Sequence, residues 1–273
     1  MGFEARPAQP PIDVFVSGQT QFRAAFTDEL VGHRIELNGP DSRRVTLEFL
    51  ESHVLRRTVP GGVAAVELHY DATAVRPGIY LIDYLDPSWP MSSALNSHAR
   101  LLSWVLELKP ARATLAVSGI VTADHPGLGA LLRGRTDHEF WSTDIDSSPH
   151  PRSSGLVGHR VIWRYSDTDE YEHNYLNSGT FVWQCLRGVE RGLSELDPSR
   201  AYAIADGLYF FHWSEVDLVV ESALVVDLHA LRTYGRFYAL DAGDAELRHH
   251  QFGAVGELLG VAIYPSDPDY RPV

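Results

Sequence analysis

The chain has 273 residues, enough for one large domain or two of ordinary size, each able to bury its own core. Hydrophobic residues make up 44% and charged residues 22%, the balance of a folded globular chain rather than a disordered or membrane-embedded one. Acidic residues outnumber basic ones 36 to 23, a formal net charge of −13, which repels phosphate backbones and anionic lipid, so neither nucleic acid nor membrane is expected as a partner.

Residues 1–24 read as an N-terminal extension with no apolar run long enough for a signal-peptide core, and the expected location is the cytoplasm. Leu30-Val31-Gly32-His33-Arg34 follows and recurs as Leu156-Val157-Gly158-His159-Arg160. At the same spacing Asp41 falls on Asp167, Phe49 on Tyr175 and Leu50 on Leu176. Further on, Gly78 to Tyr84 matches Gly207 to Trp213 in pattern, and Val105-Leu106-Glu107-Leu108 with Arg112 matches Val225-Val226-Asp227-Leu228 with Arg232. Three ordered blocks indicate duplication of a unit of about 120 residues. The expected organisation is a first unit over 25–141, a polar linker over 142–154 and a second unit over 155–273.

Within each unit, runs rich in Val, Ile, Leu, Tyr, Phe and Trp are broken every eight to twelve residues by Gly, Pro, Asp or Ser, which predicts successive antiparallel strands. The first unit gives such a series over 34–118. In the second, strands are expected at 159–165, 170–177, 180–186, 202–205, 208–213, 219–228 and 231–239; short helical turns are expected at 130–135 in the first unit and 198–202 in the second. A series of this kind hides its edges best by closing, so the predicted fold is all-β, two tandem antiparallel barrels of the lipocalin-like (calycin) type, each able to hold a small ligand.

The repeat also points to a site. One face of the second strand of the first unit carries Val45, Leu47 and Phe49, an ordinary core alternation. The matched positions of the second unit carry Tyr171, His173 and Tyr175, so in a shared register titratable groups replace aliphatic filling. Glu172 and Asn174 are expected to point outward. Nearby, Phe181, Trp183 and Cys185 share one face, while Leu208, Phe210 and His212 oppose Tyr209, Phe211 and Trp213 on a strand whose two faces are both apolar. Cys185, the one cysteine, sits in an apolar run and reads as inert. No metal or nucleotide cofactor is expected: the thirteen histidines, His150 and the adjacent His249 and His250 among them, show no two-His-plus-carboxylate spacing, and Gly127-Leu128-Gly129 lacks the lysine of a phosphate loop. The features kept in both units, His33-Arg34 with His159-Arg160 and Glu107/Arg112 with Asp227/Arg232, read as structural.

Glu170-Tyr171-Glu172-His173-Asn174-Tyr175-Leu176-Asn177, Trp183, Gly188-x-Glu190-x-Gly192-Leu193 and Leu208-Tyr209-x-Phe211-x-Trp213 together resemble the MoaF family over about residues 155–240, and more weakly over 28–120. The resemblance implies tandem lipocalin-like domains and no settled reaction, and it brings Glu172 into the candidate set. The chain departs from the family pattern after Trp213, where Glu-Lys-Ile gives way to Ser214-Glu215-Val216-Asp217, losing a lysine and gaining acid. The functional expectation is a cofactor-independent enzyme of secondary metabolism, with His173, Tyr175, Tyr171 and Glu172 as acid-base residues. Phe181, Trp183, Tyr209, Phe210, His212 and Trp213 are the expected walls for a small hydrophobic or conjugated organic molecule that is cyclised, isomerised or decarboxylated. The alternative is a carrier with the same cavity and no catalysis.

Overall fold

A computed structural model describes residues 10–61, 64–90, 99–109, 111–125, 129–144, 147–241 and 246–264. Gly127 and Leu128, and residues 145–146 of the expected linker, lie outside the described residues.

The chain forms two compact units, one of residues 24–150 and one that joins residues 1–23 to residues 151–273. In the first, strands β1 (Arg34–Asn38), β2 (Arg44–Glu51), β3 (Val54–Thr58), β4 (Val66–Arg76), β5 (Ile79–Asp86), β6 (Arg100–Leu108), β7 (Ala111–His125) and β8 (Gly129–Ser142) pair in chain order. The barrel closes through one pairing, Asn38 with Ser142. Its interior is occupied by Val45, Leu47 and Phe49 with a cluster of Trp89, Trp104 and Trp141, whose ring centroids lie 5.7 to 6.0 Å apart.

The second unit repeats the plan with β9 (His159–Arg164), β10 (Glu170–Tyr175), β11 (Thr180–Arg187), β12 (Ser194–Ala205), β13 (Leu208–Ser214), β14 (Val220–Asp227), β15 (Arg232–Leu240) and β16 (Leu247–Val261). Here closure is extensive, with β16 paired to β9 from Val255–Arg164 to Val261–His159. The long last strand is broken in pattern by Gly253, Gly256 and Gly260. Gly256 lies under Trp163, where a Cβ would come within 2.4 Å of the ring.

The duplicated turn shows why its sequence recurs. Gly32 and Gly158 adopt φ of +84° and +88°, the left-handed region that glycine enters without steric cost. Their N–H groups donate to Phe49 O (2.7 Å) and Tyr175 O (2.8 Å), and Nδ1 of His33 and His159 donates to the carbonyls of Leu30 and Leu156. Of the paired charges, Glu107 and Arg112 meet directly at 2.6 Å. Asp227 instead accepts the N–H groups of His229 and Ala230 in its turn.

Two expected helical turns are strand. Residues 130–135 lie inside β8, whose ladder with β7 runs unbroken from Arg112–Ser142 to His125–Gly129, and cross-strand pairing overrides local propensity. Residues 198–202 lie inside β12. Pro198 falls where the ladder passes from β11 to β13, so its missing N–H leaves no gap. The helix that does form is α1 (Ile12–Ser17), inside the segment read as an extension, and it packs within the second unit. Ile12 and Val16 join that unit's core, and Arg248 Nε donates to Asp13 at 3.2 Å. No helix of the described residues is long and apolar enough to cross a membrane.

Candidate functional site

Strand β10 lies between β9 and β11, and its alternation places Tyr171, His173 and Tyr175 in the interior of the second barrel, each buried. The His173 ring meets Phe181 at 5.2 Å and Trp213 at 5.9 Å, and Tyr175 packs edge-on against Phe211 at 5.1 Å. Nδ1 of His173 stands 3.5 Å from the Tyr175 hydroxyl, the outer limit of a hydrogen bond. Burial alone pulls the His173 imidazole down to about 3, so it is neutral at physiological pH. Burial likewise pushes the Tyr171 and Tyr175 hydroxyls above their ordinary range.

Phe181, Trp183 and Cys185 line the same interior from β11, and Tyr209, Phe211 and Trp213 do so from β13. Burial raises the Cys185 thiol to about 11, which suits an inert residue. Three expected site residues lie elsewhere. Glu172 is on the outer face of β10, where Arg160 donates to its Oε1 and Gln184 to its Oε2 at 2.6 Å, so its burial comes from pairing rather than from the cavity. Phe210 and His212 alternate with the interior residues of β13 and take the opposite face. His212 is held 2.6 Å from Glu221 there.

The structure adds groups that alternation did not reveal. Tyr171 donates its hydroxyl proton to Glu190 at 2.9 Å, and Trp183 Nε1 donates to Asp197 at 2.9 Å. Glu215, immediately after β13, is half-buried; desolvation foremost, then the charges of Asp197, Glu190 and Glu195, drives its carboxyl well above the usual range. The same two causes, burial and then Glu195, raise Asp197 to about 7. Two of these acids were legible as motifs: Glu190 in the Gly188-x-Glu190 run and Glu215 in the departure after Trp213.

Helix α1 closes the barrel. Phe15 sits 5.1 Å from the Phe237 ring and 6.3 Å from Tyr171, and Gln19 follows it into the interior with its Oε1 buried and unpartnered. What remains open beside His173 is a hollow of about 20 Å³, bounded by Phe15 and Gln19 on one side and by Tyr171, Trp183, Glu190 and Glu215 on others. A second space of about 10 Å³ lies by Phe15, Ile12 and Leu218. These hold a water or two, not an organic molecule. In the first unit, a groove of about 860 Å³ runs beside β1, open to solvent and edged by Arg34, Glu36, Arg44 and Lys109. Also in that unit, His53, His69 and Asp71 come together across a hairpin, a grouping that sequence spacing does not display.

The architecture and interior define a class: tandem eight-stranded antiparallel barrels of lipocalin-like design, the second with an aromatic interior holding buried ionisable groups. The model of the MoaF N-terminal domain matches residues 8–122, and that of the MoaF C-terminal domain matches residues 150–262. Protein MoaF of Klebsiella aerogenes is 34% identical over 201 residues, covering 70% of this chain and 73% of the relative. The chain belongs to the MoaF family. A solved structure of a Burkholderia vietnamiensis protein described as a candidate beta-lactamase aligns over 40% of this chain and 100% of its own, with a TM-score of 0.35 and 17% identity, too slight a likeness to carry an argument.

Proposed function

We propose that the second barrel takes up a small, largely apolar organic molecule beside His173 when α1 moves aside, and that Glu215 gives it a proton in a non-redox cyclisation, isomerisation or decarboxylation. The observation that carries this reading is the Glu215 carboxyl on the wall of the same hollow as His173. Its ionisation is opposed by burial and by the charges of Asp197, Glu190 and Glu195, which together raise its carboxyl well above the ordinary glutamate range. Such a group costs stability in a core, and its position at an aromatic hollow suits a proton donor. In an isomerisation the carboxyl protonates one carbon and its carboxylate removes a proton from another, so the enzyme ends as it began. His173, neutral and edge-on to Phe181 and Trp213, orients the molecule rather than serving as a strong base. Gln19 Oε1 offers an acceptor to any donor the molecule carries. The reaction belongs, in this reading, to secondary metabolism in the cytoplasm, needs no metal or redox cofactor, and involves neither nucleic acid nor membrane.

A second reading, a carrier without catalysis, is favoured by the tightness of the closed interior, since a bound molecule would be sealed from water. Incubating the wild-type chain, Glu215→Gln and His173→Ala with a small-molecule cell extract, followed by mass spectrometry of the extract, separates the two. The enzyme reading expects a metabolite that the wild type consumes, that Glu215→Gln binds without consuming, and that His173→Ala turns over more slowly. A metabolite retained by all three proteins and changed by none overturns it in favour of the carrier.

A further inference from the structure

We infer that the β2–β3 turn and strand β4 of the first barrel form a site for a divalent late first-row transition-metal ion, zinc foremost, with His53, His69 and Asp71 as its ligands. The three offer ligand atoms that all lie within 4.8 Å of one another. They come from two places. His69 and Asp71 are two apart on β4, hence on one face, and Tyr70 between them enters the barrel core. His53 stands in the turn before β3 and is brought over them because Val54 pairs with His69.

The spacing is close to that of ligands around one ion. Asp71 Oδ1 is 2.9 Å from His53 Nδ1 and 3.7 Å from His69 Nε2. Ligands about 2.0–2.1 Å from a tetrahedral zinc stand roughly 3.3 Å from one another, a value between those two, so both carboxylate–imidazole separations lie within about 0.5 Å of what the ion requires. The two imidazoles are held nearly parallel, 5.2 Å between centroids and 11° between planes. Were both protonated their charges would repel, whereas two neutral rings beside one carboxylate make a mixed N/O set suited to Zn²⁺, Ni²⁺ or Cu²⁺.

The turn is also built to hold its histidine. His53 has φ of +62°, a left-handed conformation uncommon outside glycine. It is secured by Tyr70 N–H donating to His53 O at 3.1 Å, by His53 Nδ1 lying 3.0 Å from Tyr70 O, and by Phe26 packing edge-on at 5.4 Å. Metal binding through Nδ1 uses the tautomer that carries its proton on Nε2, in place of the contact with Tyr70 O. The exposed side of His69 leaves a fourth position for water.

The test is calorimetric titration of the full chain, freed of any histidine tag, with ZnCl₂ at pH 7.5. His69→Ala and Asp71→Asn are titrated alongside, and the visible spectrum is recorded with Co²⁺ in place of zinc. The expected result is one ion per chain, affinity weakened by about tenfold or more in each variant, and ligand-field bands of low-coordinate cobalt that His69→Ala loses. Far-UV circular dichroism should be unchanged, since His69 is a surface residue. No binding of zinc, or binding that both variants retain at wild-type strength, overturns the assignment. In the latter case the ion sits on other histidines of the chain.

Discussion

Replacing Phe15 with alanine tests whether helix α1 is the door of the second barrel. The ring packs against Phe237 and Tyr171 and borders both small hollows, which together offer little more than a water or two. Its removal adds on the order of 80 Å³ of interior space; at roughly 24 cal/mol per Å³ the cavity costs about 2 kcal/mol. Lost transfer of a half-buried ring adds about 1 kcal/mol, for a total near 3 kcal/mol. In a unit of this size that lowers the melting temperature by about 6–12 °C. The enlarged hollow reaches a size that takes up flat apolar molecules, so indole or benzene should bind Phe15→Ala and return part of the lost melting temperature, with little effect on the wild type. An unchanged melting temperature in Phe15→Ala, with no response to either probe, would refute the placement of Phe15 as a plug.

The buried ionisable groups predict opposite pH responses. The folded pKa of His173 is depressed from 6.5 to about 3, so the unfolded chain binds the extra proton between those values and stability is lost as pH falls through that window. His173→Phe should therefore flatten the acid limb of a melting-temperature profile from pH 6.5 to 4, and an unaltered limb would deny the residue its burial. Asp197 is raised to about 7, so its cost is incurred as pH rises from about 4 towards 7 and beyond. Asp197→Asn should stabilise more at pH 8 than at pH 5, and an equal effect at both contradicts the shift. The duplicated glycines should differ under substitution. Gly158→Ala forces an alanine to φ of +88° with its Cβ 2.3 Å from Ala262 O, at a cost of about 2 kcal/mol or more; Gly32→Ala, at +84° with nothing near its Cβ, should cost about 1 kcal/mol. Equal losses in denaturant titrations would contradict the close approach at Gly158.

Much of this architecture is legible from the chain because duplication supplies an internal reference. Val45, Leu47 and Phe49 show which face of β2 is core, and their counterparts Tyr171, His173 and Tyr175 occupy the same face of β10. Where both faces are apolar, that reasoning stops. Leu208 to Trp213 is apolar and largely buried on both faces, so only the structure separates interior Tyr209, Phe211 and Trp213 from Phe210 and His212. Glu172 illustrates the reverse difficulty: alternation turns it outward, family resemblance draws it in, and its pairing with Arg160 and Gln184 on the outer face decides between them. Helix α1 escapes a local reading because six residues carry too little periodicity, and its role comes from docking with strands more than 140 residues away. The His53, His69 and Asp71 group depends on hairpin register, which no spacing rule along the chain displays. Glu215 is visible as a departure in the sequence, yet its raised pKa exists only because folding brings it beside Asp197, Glu190 and Glu195.

Native mass spectrometry of the intact chain purified from its own host, with organic extraction of whatever accompanies it, addresses the interior of the second barrel most directly. One small organic molecule per chain, quenching Trp183 and Trp213 fluorescence and lost in Tyr171→Ala, is the result the buried acids and aromatic walls predict. A bare chain whose tryptophan emission is unmoved by any member of a library of small aromatic and conjugated compounds would contradict it.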